Sequence, residues 1–362
     1  MSIHERVLSF IHSPEPERFD SLSVDVFRHQ YVSVPAYRRH CELLGVSLDA
    51  VTSAREIPMV STVAFKYAEL HALDAAKDPR ALTFLTSGTT RGRDRRGRHV
   101  VSRPDIYRAS ALAHLRTMMF PEGVPMRMLA IHPTADRMPE SSLSTMISWC
   151  IDEFGAGPAR CAADRTGLDV AAAIDFLRKA AAEHAAVCIL GTTAAYAAIF
   201  ERLDADGDTV ALPPGSRMMD TGGAKGQVVP LTAGQVMERA GARLGIDPDH
   251  VINEYGMTEL CSQLYDATRL NSATVDGERV KIAPPWMRPA ATDPVTLRQL
   301  PDGTRGLLGF VDLANVSSVS AILTEDFGIV EGHRVKILGR AVAGGARGCA
   351  LSIAQFEQAA HA

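Results

Sequence analysis

The chain has 362 residues, 46% of them hydrophobic and 22% charged, with a formal net charge of −4. That is an ordinary composition for a globular protein, long enough to bury a large core without disulfides or metals. The slight acidity leaves no electrostatic footprint for nucleic acid, and no apolar run approaches the roughly 20 residues of a membrane span, so neither partner is expected.

The N-terminal MSIHERVLSF mixes charges into an amphipathic pattern and lacks the apolar region of a signal peptide. Six cysteines (41, 150, 161, 188, 261, 349) are scattered with no CxxC. A zinc site or redox motif is not expected from that pattern, and the expected location is cytoplasmic.

Short apolar runs alternate with helical periodicity, which reads as α/β. Strands are expected at Ala81–Leu85, Arg127–Ile131, Val187–Leu190, Arg217–Asp220, Val251–Ile252, Leu307–Val311 and Val335–Leu338. Helices are expected over 105–119, 169–184 and 233–245; the second carries Val170, Ile174, Phe176 and Leu177 at helical spacing. Beyond about residue 265 the chain becomes richer in proline and polar turns, then runs through short strands to Arg340. One large body over 1–340 with a short tail, 341–362, is expected; Ser352–Ala360 in the tail reads as helix-like.

Four motifs carry chemistry. Thr86-Ser87-Gly88-Thr89-Thr90 follows a strand, and its hydroxyls and free N–H groups suit phosphate oxygens, although no Walker A loop is present. Asp220-Thr221-Gly222-Gly223-Ala224-Lys225 allows flat backbone contact with a ring or phosphate. Asn253-Glu254-Tyr255-Gly256-Met257-Thr258-Glu259 combines an aromatic face, a turn, a hydroxyl and a carboxylate able to hold Mg²⁺. Thr324-Glu325-Asp326 precedes Gly339-Arg340, pairing a carboxylate able to bind ribose hydroxyls with a strand-end guanidinium able to reach ribose or phosphate. Each has a plainer reading: a polar loop, a tight turn, an exposed turn with Thr258 capping a helix, and a charged hairpin. Several of these turns end strands, where open α/β sheets place ligands.

Order and spacing together make the set resemble the adenylate-forming superfamily, and within it the acyl-protein synthetase (LuxE-type) family, over roughly residues 80–350. Ser141-Ser142-Leu143, Gly191-Thr192-Thr193, Pro284-Pro285-Trp286 and Arg347-Gly348-Cys349 add to the match. The resemblance implies the superfamily's large N-terminal α/β domain with layered sheets and a strongly truncated lid, since only residues 341–362 follow Arg340. It implies ATP and Mg²⁺ as cofactors. Thr86 to Thr90 would cradle phosphates, with Gly222, Gly223, Lys225, Tyr255, Gly256 and Asp326 also on the nucleotide. Thr258 and Arg340 would be catalytic, and Glu259 would hold the metal. The lysine that normally ends the phosphate loop is absent; Arg93 or Arg98 is a substitute, against the plainer reading of a solvated basic loop. Lys225, Arg334 and Lys336 are candidates for the charge a lid would supply.

Cys349 lies among glycines beside Arg347, and the resemblance implies that it accepts the acyl group as a thioester; otherwise it is an inert small hydrophobe. Cys261 is a rival, but reads more simply as part of a packed helix. His132, Tyr196 and Met257 are candidates for the substrate pocket, against strand capping for His132 and helix packing for Tyr196. Trp286 reads as a packing anchor.

The expected activity is ATP-dependent conversion of a carboxylic acid, a fatty acid by resemblance, to acyl-AMP and then to a thioester. Alternatives are a ligase loading coenzyme A or a carrier protein, and a weakly active scaffold subunit of a reductase complex. Expected partners are the acid and an acyl-acceptor protein, reductase or carrier protein.

Overall fold

A computed structural model of the chain describes residues 1–86, 96–222, 231–271 and 279–340. They fall into two compact units where the sequence reads as one body. One unit holds Met1–Ala113, Met257–Gln263 and the chain from Val280 onward; the other holds His114–Gly256 and Leu264–Arg279. The tail from 341, with its expected helix, lies outside the described residues.

The second unit is built on a parallel sheet. Arg160–Cys161, Arg127–Ala130, Val187–Thr192, Arg217–Thr221 and Val251–Tyr255 lie side by side in that order, and Leu264–Asp266 adds antiparallel to the last. Register aligns Leu129, Ile189, Met218 and Val251 in one row with no exposed surface. Continuous apolar runs are what a sheet covered on both faces selects. The helices Val170–Ala182, Thr193–Asp206 and Ala233–Leu244 cover that row with Ile174, Leu177, Phe200, Leu203, Val236 and Leu244. Each side chain of that size contributes ~2 kcal/mol by leaving water.

These helices begin on side-chain caps: Asp169, Thr192 and Thr232 accept from the backbone of Ala172, Ala195 and Gln235. Two of them end at left-handed Gly207 and Gly245. The Gly191-Thr192-Thr193 turn is therefore a helix start. Because the strands are parallel, their carboxyl ends share one edge, where Ile131, Thr193, Gly222 and Gly256 follow.

The first unit is antiparallel. Met287–Thr292, Arg305–Asp312, Ala321–Glu331 and Arg334–Arg340 form a meander, with Lys281–Ile282 beside its last strand and Val60–Ser61 parallel to Ala321–Glu331. Leu82–Leu85 and Arg98–Val101 form a separate hairpin. The helices Ile3–His12, Phe19–Ser33 and Pro35–Leu43, which no expectation covered, pack in this unit. Buried Gln30 donates to the carbonyls of Asn315 and Val316 and accepts from Ser320. Arg288 grips both carboxylate oxygens of Asp20 at 2.9 Å. Among the described residues, no helix is long and apolar enough to cross a membrane.

A Cβ at Gly191 would overlap the buried Ile131 side chain from the neighbouring strand. Gly191→Ala should therefore destabilise the protein by about 1–3 kcal/mol, read as a lower urea midpoint.

Candidate active site

The polar residues at the strand edge of the second unit are held by one another. The Asp220 carboxylate, 2% exposed, accepts from the Thr193 hydroxyl at 2.7 Å and the Asn253 amide at 3.0 Å. Asn253 also donates to the Asp220 carbonyl at 2.9 Å, tying two neighbouring strand ends together. The Thr221 hydroxyl donates to the Glu254 carboxylate across the same pair. Gly222 follows with φ of 95° and open space where a Cβ would stand. That backbone favours glycine, and its carbonyl accepts from the Thr193 hydroxyl at 3.1 Å. Tyr255, half-buried, ends the adjacent strand, and Gly256 is exposed.

From Gly256 the chain passes into the first unit, where Met257–Gln263 forms a turn and does not follow the plainer reading of an exposed turn leading into a helix. Leu260 N donates to the Met257 carbonyl, and the next regular element is the strand at Leu264. Glu259 is 8% exposed and Cys261 1%. Lacking helix or strand partners, this backbone is held by side chains. His99 meets the Thr258 carbonyl at 2.7 Å, Asn315 donates to the Glu259 carbonyl at 2.7 Å, and Asp312 accepts from Cys261 N at 3.0 Å. Ser262 gives its proton to Asp312 at 2.7 Å, and so accepts from Ser110 and from the Trp286 indole. Trp286 is the packing anchor the sequence suggests. Burial pushes the Asp312 carboxyl up to about 6 despite these donors.

In the same unit, the hairpin closes the base of the first motif. Thr86 N donates to the Gly97 carbonyl and Gly97 N to the Thr86 hydroxyl, both at 2.9 Å. Arg96 clamps the carbonyls of Thr86 and Leu85. Arg98 is exposed, 3.7 Å from Glu69. In the meander, Asp326 stands opposite Arg340 just before a register shift, and Arg340 pairs with Glu325 at 3.4 Å. Arg334 and Lys336 flank buried Val335 on the same strand.

His132 follows its strand half-buried, its Nε2 without a partner among the described residues and burial pushing it down to about 4. Tyr196 corrects the expectation. It has no exposed surface, and its hydroxyl donates to the carbonyls of Ile189 and Met219 inside the helix–sheet core, so it is not a pocket wall. Ser87, Gly88, Thr89, Thr90, Arg93, Gly223, Lys225 and Cys349 lie outside the described residues. Sequence reasoning missed His99, Asp312 and Asn315; nothing local marks them, because each acts on a segment far along the chain.

Among the described residues no group of three acidic, histidine or cysteine side chains forms a metal cage. A Mg²⁺ ion held chiefly by substrate phosphates needs only one or two carboxylates, and Glu259 would supply one.

A family model described as acyl-protein synthetase, LuxE, matches residues 8–357. The long-chain-fatty-acid–luciferin-component ligase of Vibrio harveyi is 41% identical over 87 residues, 22% of this chain and 23% of that one. The ligase of the same name from Aliivibrio fischeri is 34% identical over 104 residues, 26% and 28% of the two chains. The chain thus spans about a quarter of the length of the curated relatives it matches. An open 2-hydroxyisobutyryl-CoA ligase, solved with 2-HIB-AMP and CoA, superposes at TM-score 0.64 and 16% identity, over 92% of this chain and 81% of that one. The same ligase in its postadenylation state gives 0.63 and 17%, over 91% and 69%. At that identity the likeness shows the fold, the expected α/β architecture of adenylate-forming ligases.

Asp312→Ala would strand the donors of Cys261, Ser262 and Ala314, each at a cost of about 1–3 kcal/mol. Asp312→Asn keeps an acceptor oxygen and should lose less, as urea denaturation would show. His40, His99 and His132 are each pushed down to about 4, chiefly by burial. The unfolded chain takes up those protons near pH 6.5, so stability should fall as pH drops from about 6.5 toward 4. Asp312 opposes this between about 6 and 4, because its folded form binds the proton first. His4 is pushed down to about 4 in the same way, so with four such histidines against one carboxyl the urea midpoint should be lower at pH 5 than at pH 7.

Proposed function

Because the chain belongs to the acyl-protein synthetase (LuxE) family, we propose that it uses ATP to convert a carboxylic acid to an acyl-adenylate and passes the acyl group to a thiol. The observation that carries this reading is the rigid mount of Thr258 and Glu259, whose backbone carbonyls are each held by a buried side chain. Nucleotidyl transfer is mostly positioning and charge neutralisation, and such a mount supplies the first.

In the first half-reaction the substrate carboxylate attacks the α-phosphorus and pyrophosphate leaves. Thr258 hydrogen-bonds the α-phosphate, and Asp326 receives the ribose hydroxyls beside Arg340. Gly222, Gly223, Tyr255 and Gly256 form the adenine side, with Lys225 near the phosphates. Thr86 to Thr90 cradle the departing phosphates. Glu259 would hold Mg²⁺, which neutralises phosphate charge when bound. His132 and Met257 face the acid.

In the second half-reaction a thiolate attacks the acyl carbonyl and AMP leaves. Cys349 is the proposed acceptor, conserving the activated acyl group as a thioester. Its rival Cys261 is buried, and burial raises that thiol well above its ordinary range, as it does for Cys150. Cys41 and Cys188 are pushed up to about 12. The acid is proposed to be a fatty acid, in keeping with the names of the two curated relatives. A reductase or carrier protein is the proposed destination of the acyl group.

The test is intact mass of the pure protein after incubation with ATP, Mg²⁺ and a panel of fatty and aryl acids, beside Cys349→Ser. A hydroxylamine-labile acyl adduct in the wild type alone is the expected result. Pyrophosphate release without an adduct would move the acceptor to an external thiol. No signal with any acid would overturn the activity. Glu259→Gln and Thr258→Ala should each lower ATP–pyrophosphate exchange on the order of a hundredfold.

A further inference from the structure

His99 lies on the strand Arg98–Val101 and is 1% exposed. Its Nδ1 stands 2.7 Å from the Thr258 carbonyl, 159 residues away in sequence. A carbonyl only accepts, so Nδ1 carries the proton and Nε2 is the lone-pair nitrogen. That Nε2 is buried and has no partner among the described residues. Phe65 meets the ring edge-on at 5.5 Å, and Phe84 is its cross-strand neighbour.

A histidine in such an apolar setting leaves one ring nitrogen buried without a bond, which costs free energy. A leucine or phenylalanine would fill the space without that cost. What the imidazole supplies and those side chains do not is a donor aimed at one peptide. The Thr258 carbonyl belongs to the peptide plane joining Thr258 to Glu259, so fixing it orients the backbone from which both side chains project. Asn315 fixes the next carbonyl and Asp312 the amide of Cys261. The same strand lies just past Gly97, whose pairing with Thr86 closes the base of the first motif.

We infer that His99 is a positioning residue for adenylation: its Nδ1–H, bonded to the Thr258 carbonyl, sets Thr258 and Glu259 relative to the hairpin that carries the Thr86 motif. The inference rests on the proposed activity for its kinetic consequence and on geometry alone for its structural one.

Asparagine and glutamine separate the two nitrogens. The Asn amide nitrogen is as many bonds from Cα as Nδ1, and the Gln amide nitrogen as many as Nε2. ATP–pyrophosphate exchange, thermal unfolding and hydrogen exchange of the 256–264 peptide would be measured for wild type, His99→Asn, His99→Gln and His99→Ala. His99→Ala and His99→Gln should lose tenfold to a hundredfold in kcat, roughly, with smaller changes in KM for ATP. Both should also lose amide protection in that peptide. His99→Asn should restore rate and protection at a melting temperature similar to that of the other two. Equal rates and equal protection in all four proteins would overturn the inference. So would parallel loss in all three variants that tracks melting temperature, since that marks a core residue only. Absence of exchange in the wild type would defeat the proposed activity, while hydrogen exchange would still decide whether Nδ1 holds the turn.

Discussion

A carboxylate without access to water organises the segment on which the proposed chemistry depends. Asp312 has no exposed surface and collects protons from Cys261 N, Ser262 Oγ and Ala314 N. Burying such a group costs several kcal/mol unless donors replace its water. The constraint behind it is that Met257–Gln263 runs through a buried region without regular structure. Backbone groups there must find partners outside any ladder. Asp312, Asn315 and His99 are those partners, and they come from strands and a turn whose own positions are fixed by the meander and the hairpin.

The second unit solves the same problem differently. At its strand ends, short polar side chains on adjacent strands bond one another. Asp220 is gripped from both sides by Thr193 and Asn253, and Thr221 bonds Glu254. The Thr193 hydroxyl also reaches the Gly222 carbonyl at 3.1 Å, so the glycine after the strand is held as well. The hydroxyls and carboxylates at this edge thus serve the scaffold.

Much of this was legible from composition and periodicity. The strands through Leu129, Ile189 and Met218 announced themselves as apolar runs, because a sheet covered on both faces admits little else. The helices over 105–119, 169–184 and 233–245 followed from spacing. The three N-terminal helices did not, since Gln30, His40 and several serines break their apolar faces. The long strand Ala321–Glu331 was hidden by Thr324, Glu325 and Asp326 in its middle. Within the site, the motif residues were visible as words in the sequence, but their mounts were not. Tyr196 shows the converse: a polar aromatic near a glycine-rich turn looked available, and its hydroxyl is spent on two backbone carbonyls.

The reciprocal bonds between Thr86 and Gly97, with Arg96 clamped over them, have a consequence for how such a protein can diverge. They make the junction self-sufficient, so the pairing of Leu82–Leu85 with Arg98–Val101 does not depend on how many residues intervene. Lengthening a closed loop costs only about 0.6 kcal/mol per doubling. The joint therefore stays registered whatever charge or length mutation writes between its two strands.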